Sequence, residues 1–168
     1  MKPLYFSVAI LALALEGLMG NTTELKELSS TRFKVSRIFH VFDATFRAPI
    51  DAISRDPLDE FPKELEFEYA RNISSQQLVG AADKILRKSV SPEELAKLES
   101  QIEELNAAYR DVGRGDRYTL RYDPGKGTSL LLNGDVIHEV PGDDFHRIYF
   151  SIWLGPESPF NLRPQSYS

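Results

Sequence analysis

The stretch from Gly115 to Pro156, GDRYTLRYDPGKGTSLLLNGDVIHEVPGDDFHRIYFSIWLGP, constrains the fold more than any other part of the chain. Arg117 to Tyr122 alternates polar and apolar residues, which puts Tyr118, Leu120 and Tyr122 on one face of a strand. Asp123-Pro124-Gly125 and Gly127 supply a turn, because proline fixes φ and glycine tolerates positive φ. Thr128 to Leu132 reads as a second strand. Asn133-Gly134, the dipeptide a type I′ turn demands, leads into a third, Val136 to Val140. Pro141-Gly142 breaks that strand, and Asp143 or Asp144 caps a helix with Phe145, Ile148, Tyr149, Ile152 and Trp153 along one side. A meander closed by such a helix needs a partner layer to bury its apolar surfaces.

Upstream, Phe33, Val35 and the run Ile38 to Phe46 are rich in β-branched and aromatic residues, predicting one long strand or two joined by a bend. Ala48 to Lys63, with three prolines among acidic residues, reads as a loop. Lys63 to Ala70 alternates strictly, with Leu65, Phe67 and Tyr69 inward and Glu64, Glu66 and Glu68 on a solvated face. Ser74 or Ser75 caps a helix whose buried stripe is Leu78, Ala81, Ala82, Ile85 and Leu86. Ser91-Pro92-Glu93-Glu94 is a capping box with proline at the first helical position, starting a helix that runs to about Tyr109. The expected class is α+β: two or three early strands, two helices, three strands and a last helix.

At the N-terminus, Met1-Lys2 precedes an apolar run from Leu4 to Leu15, too short to span a bilayer, for which ~20 residues are needed. Residues 1–20 therefore read as a cleaved signal peptide, with an uncleaved anchor or a buried core helix as alternatives, 21–30 as a linker, 31–162 as the domain and 163–168 as a frayed tail. Export to the periplasm or beyond follows, with no stable membrane insertion once the signal is removed. A net charge of −5 without a basic run gives no electrostatic case for nucleic acid or an anionic membrane. The chain of 168 residues contains no cysteine, which excludes disulfides, thiolate catalysis and cysteine metal sites. His40, His138 and His146 share no metal-ligand spacing, so neither a metal nor a cofactor is expected. There is no G-x-S-x-G elbow, and Asp123 to Gly127 lies between strands where a phosphate loop needs a helix after it. Arg32 stands beside an apolar strand: facing inward, its guanidinium would clamp a carboxylate or enolate-like oxygen, and facing outward it would line the solvated side with Lys34 and Arg37.

Several segments in order resemble the bacterial chalcone isomerase-like family. They are Phe39-His40-Val41-Phe42-Asp43-Ala44-Thr45-Phe46, Lys63 to Tyr69 running into Ile73-Ser74-Ser75-Gln76-Gln77, the Gly115-Asp116-Arg117-Tyr118 and Leu131-Leu132-Asn133-Gly134 segments, and the closing Trp153-Leu154-Gly155-Pro156. The resemblance implies an open-faced antiparallel β-sheet with helices packed on one side, which agrees with the α+β order of elements. Enzymes of that family close a chalcone into a flavanone by attack of a phenolate on an unsaturated ketone. An arginine orients the nucleophile there, and threonine, tyrosine and asparagine groups support the developing enolate. On this chain the tyrosine position falls at Leu78, the asparagine at Ile85 and the threonine at Phe42, while Arg32 matches the arginine. Apolar side chains cannot donate to an enolate, and each lost donor costs about 3–4 kcal/mol in catalysis.

The favoured reading is thus a non-catalytic domain holding an apolar small molecule, such as a fatty acid, in the cleft between sheet and helices, with Arg32, Phe42, Tyr69, Leu78, Ile85 and Tyr118 as its ligand-binding residues. The alternatives are an isomerase or intramolecular lyase using Arg32 with Tyr69 or Tyr118, and an interaction domain with a filled core.

Overall fold

The computed structural model describes residues 23–165. Both the expected signal segment and the last three residues of the tail lie outside the described residues. Six strands form one antiparallel meander in sequence order: β1 (Lys26–Val35), β2 (Phe39–Ala48), β3 (Lys63–Tyr69), β4 (Arg117–Asp123), β5 (Gly127–Leu132) and β6 (Asp135–Pro141). Helices α1 (Ser75–Ser89), α2 (Pro92–Lys97) and α3 (Glu99–Ala108) connect β3 to β4, and α4 (Asp144–Leu154) closes the fold. The architecture is α+β, as the order of elements predicts, and it is the open-faced antiparallel sheet that the family resemblance implies.

Register turns that alternation into rows across the inner face. Ala44 lies opposite Phe67, Phe67 opposite Tyr118 and Tyr118 opposite Leu132, while Phe46, Leu65, Leu120 and Leu130 form the next row. The residues between them build a charged outer face. There Arg32 faces Asp43, Glu68 faces Arg117, and Glu64 lies between Arg47 and Arg121. Ion pairs join Arg117 to Glu68 at 2.6 Å and Arg121 to Glu64 at 2.9 Å. Exposed pairs of this kind contribute little stability each, typically below ~1 kcal/mol, but they keep the open face wet and fix which side of each strand is inside.

Turn chemistry sets the meander. Asn133 and Gly134 both have positive φ, 53° and 91°, as the two-residue hairpin requires. The Asn133 side chain accepts from the Arg117 amide at 2.8 Å and donates to Asp116 at 2.9 Å. The segments that carried the family resemblance thus interlock. Asp143 does not cap α4 through its side chain, because its carboxylate accepts from Tyr122 Oη and the Gly125 amide, both at 2.8 Å. Ser74 caps α1 and Ser91 caps α2, each in a complete capping box.

Three boundaries differ from expectation. β1 begins at Lys26, inside the expected linker, because its polar first half pairs with the end of β2 as a half-exposed edge strand. The expected second helix breaks at Leu98 into α2 and α3. The bend leaves α2 with nothing buried while α3 brings Leu105 into the core. The tail is not frayed at its start, since Pro164 is buried and Arg163 donates to the Leu154 carbonyl at 2.8 Å.

Lys63 is the exception on the inner face. It continues the Leu65–Phe67 parity and is fully buried, its ammonium donating to the Pro57 carbonyl at 2.7 Å and lying 4.2 Å from the Phe61 ring centre. Burial lowers its pKa to about 7, against weaker support from Asp59 and Asp56. Between pH 7 and the ordinary lysine value of about 10.4, the unfolded chain binds a proton that the folded chain has released, so stability rises with pH there. Urea midpoints are expected to climb from pH 7 to pH 9, by up to about 1.4 kcal/mol per pH unit. Lys63→Met should flatten that climb. A wild-type profile that is flat over the same range contradicts this account of Lys63.

Candidate functional site

The helices cover the inner face unequally. α4 is rich in aromatics and buries eight residues, from Phe145 and His146 to Trp153 and Leu154. It packs on β5, with the His146 ring stacked 3.7 Å from Tyr122 and Trp153 5.0 Å from Phe67. α1 is amphipathic but buries Leu86 alone; its Leu78, Ala82 and Ile85 are half-buried. α1 rests on α4 and stands off the first strands, leaving a cavity of about 910 Å³ between helix and sheet. That size lies toward the upper end of small-molecule sites, which run from about 300 to 1,000 Å³.

The sheet supplies Phe42, Phe67, Tyr69, Tyr118 and Leu120 to this cavity, α1 supplies Leu78, Ala82 and Ile85, and Trp153 and Phe160 close one end. The polar groups sit in two places. Arg71, Asn72, Gln76, Gln77 and Lys84 are exposed along the β3–α1 connection and the outer edge of α1. At Gly80, between them on the helix, an added Cβ would meet nothing within 4 Å, so the edge is open there. Arg71 and Lys84 form no ion pair among the described residues, whereas Arg32, Arg47, Arg87, Arg117 and Arg121 are all paired.

The second polar group is a tyrosine cluster at the inner end. Tyr118 Oη is saturated, accepting from the Arg110 amide at 2.7 Å and donating to its carbonyl at 3.0 Å. Tyr149 Oη donates to Asn106 at 3.2 Å and lies 3.5 Å from Tyr109 Oη. Tyr69 Oη makes no hydrogen bond among the described residues. Burial pushes the Tyr69 phenol well above its ordinary range, helped by Tyr109 and Tyr118, and burial raises Tyr109 and Tyr118 as well. These phenols stay protonated near neutral pH. They are hydrogen-bonding groups, not bases.

Of the six residues predicted from sequence, Phe42, Tyr69, Leu78, Ile85 and Tyr118 all line the cavity. The three positions that the resemblance matched to catalytic polar groups are thus brought together as apolar wall. Arg32 is the correction. Its guanidinium is on the outer face, its side chain 60% exposed, bound in a fork to Asp43 at 2.7 and 3.1 Å. The signal was legible: Phe42, Ala44 and Phe46 point inward, so Asp43 and the residue opposite it point outward. The sequence reading missed Arg71 and Lys84, which follow a strand end and sit on an exposed helix edge, positions that periodicity reads as solvent. No cluster of metal-ligating side chains occurs among the described residues.

A hollow site makes a packing prediction. Leu78→Ala and Ile85→Ala, facing the cavity, should each cost about 1 kcal/mol or less, while Leu86→Ala should cost about 2–5 kcal/mol. Equal costs in chemical denaturation would mean the space behind α1 is filled.

Comparison with known proteins places this geometry. The family model described as chalcone isomerase-like matches residues 48–161, from the end of β2 through α4. Among solved structures, a fatty-acid binding protein of Arabidopsis thaliana superposes with a TM-score of 0.65, over 89% of this chain and 88% of its own, at 10% sequence identity. At that identity the likeness is one of fold. No curated protein matches the sequence.

Proposed function

Because the chain belongs to the chalcone isomerase-like family, we propose that it binds an apolar small molecule, a fatty acid or similar anionic amphiphile, between its sheet and α1 without transforming it. The observation that carries this reading is the aromatic and aliphatic cavity with Arg71 and Lys84, which form no ion pair among the described residues, on its edge. An acyl chain gains from leaving water for such a lining, about 0.8 kcal/mol per buried CH₂. Its carboxylate stays at the rim, where a guanidinium or ammonium binds it without the cost of carrying a charge into the interior. The Tyr69 hydroxyl offers a further donor from the wall. That a protein of the same fold is described as fatty-acid binding supports the choice of ligand class by analogy.

The isomerase alternative is the weaker reading. It relies on Arg32, which is engaged by Asp43 outside the cavity, and on tyrosines whose raised pKa values deny it a base near neutral pH. The proposal includes export, motivated by the apolar run Leu4 to Leu15; N-terminal sequencing of the protein recovered from its source cells checks this, and an intact Met1 would count against it.

Native mass spectrometry followed by organic extraction tests the ligand. A stoichiometric fatty-acid adduct is expected. With oleate as probe, Arg71→Ala combined with Lys84→Ala should raise the Kd on the order of tenfold or more, as loss of a charge-assisted contact does, whereas Arg32→Ala should leave it unchanged. A clean apo mass with no oleate uptake would overturn the carrier reading and favour the interaction domain.

A further inference from the structure

The β1–β2 hairpin carries an exposed apolar tip that the cavity does not explain. Val35, Ile38 and Phe39 are 49%, 75% and 54% exposed. Ile38 lies in a three-residue turn with Ser36 and Arg37, both at positive φ, 52° and 63°. Neither residue is one of the glycines or asparagines that favour this region. The turn thus accepts local strain while holding an arginine beside its exposed isoleucine.

A β-bulge links this tip to the site. Phe33 pairs with Phe42 but Lys34 pairs with His40, so Val41 is the extra residue in β2. The bulge resets the parity of the strand. His40 turns outward to Asp43 at 3.2 Å, Val41 joins the cavity lining, and Phe39 comes beneath the Arg71 guanidinium at 5.8 Å. Arg71 itself lines the cavity. The apolar surface therefore runs from the cavity wall at Phe33 and Val41 out to Val35, Phe39 and Ile38 in solvent.

The charges around it have one sign. Lys34, Arg37 and Arg71 are exposed and form no ion pair among the described residues, and Lys34 to His40 contains no acidic residue. The nearest carboxylate in the hairpin, Asp43, is taken by Arg32 and His40. A net charge of −5 concealed this cluster, because Arg71 comes from the β3–α1 connection and joins the hairpin cations only in three dimensions.

We propose that this tip docks on the surface of an anionic phospholipid bilayer, with Ile38, Phe39 and Val35 entering the headgroup boundary and Lys34, Arg37 and Arg71 meeting lipid phosphates. Exposed aliphatic and aromatic residues ringed by cations that form no ion pair among the described residues match that interface in both chemistries, and no helix among the described residues is long and apolar enough to span it. The inference rests on the carrier reading for its purpose: the cavity mouth is set down where an amphiphile enters or leaves the membrane.

The chain has no cysteine, so a solvatochromic dye can be attached at Ile38→Cys, or at Asp135→Cys on the opposite edge strand as a control. With vesicles containing phosphatidylglycerol, the dye at 38 should shift to the blue and the dye at 135 should not. Phosphatidylcholine vesicles should give little shift. Lys34→Glu with Arg37→Glu should weaken partitioning on the order of tenfold or more. An unshifted dye at 38 overturns the proposal: without vesicle binding the tip serves a protein partner or none, and with it another segment is the anchor. Oleate uptake from solution, measured on the same labelled protein, reads the carrier function separately. Uptake without a tip shift defeats docking alone, and a tip shift without uptake defeats the carrier.

Discussion

An antiparallel sheet with one apolar face must have that face covered, and in this fold the cover is incomplete. α4 lies close on β5 because its side chains are large, aromatic and almost continuously buried. α1 is held elsewhere: by its capping box at Ser74, by Asp111 accepting from the Ser75 amide at 2.8 Å, and by packing on α4. Its inner stripe of leucine, alanine and isoleucine is too slight to reach the aromatic rows of β2, β3 and β4 from there. The cavity is the space between a helix fixed by its ends and a sheet fixed by its register. Such a gap stays open when its walls are supported independently, since closing it would break hydrogen-bonded caps and ladders.

The outer face makes that arrangement specific. Alternating arginines and acids across β1 to β4 tie each strand to a single parity. A one-residue slip would drive Glu64, Glu66 and Glu68 into the aromatic core, so the ion pairs act less as stabilisers than as a guard on register. The same parity fixes Arg32 outside and Tyr69 inside. It also carries Lys63 inward, where two loop carbonyls and the Phe61 ring take the place of a carboxylate.

Most of the framework was legible because periodicity and turn chemistry agreed. Leu65, Phe67 and Tyr69 alternated cleanly, Asn133-Gly134 named its own turn, and two serine caps marked helix starts. What stayed hidden depended on tertiary placement. Ser36-Arg37-Ile38 contains no turn-forming glycine, proline or asparagine, so the first hairpin looked like one strand or two. The bulge at Val41 is invisible to a simple alternation, and with it the meeting of Arg71 and Phe39. Five wall residues of the site were readable as apolar or aromatic positions, while its cations were not: an exposed lysine or arginine carries no periodic signal until the surface around it is known.

The central claim is that the space behind α1 accepts an acyl chain, and the lone tryptophan of the chain, Trp153, stands in its wall. Titration with a fatty acid brominated along its chain reads that contact directly, because bromine quenches indole emission at short range. The account predicts saturable quenching that ends at one equivalent and is reversed by unlabelled fatty acid. Emission unchanged by the brominated chain, or quenching that never saturates, would mean that no acyl chain enters beside Trp153, and the cavity would have to be explained another way.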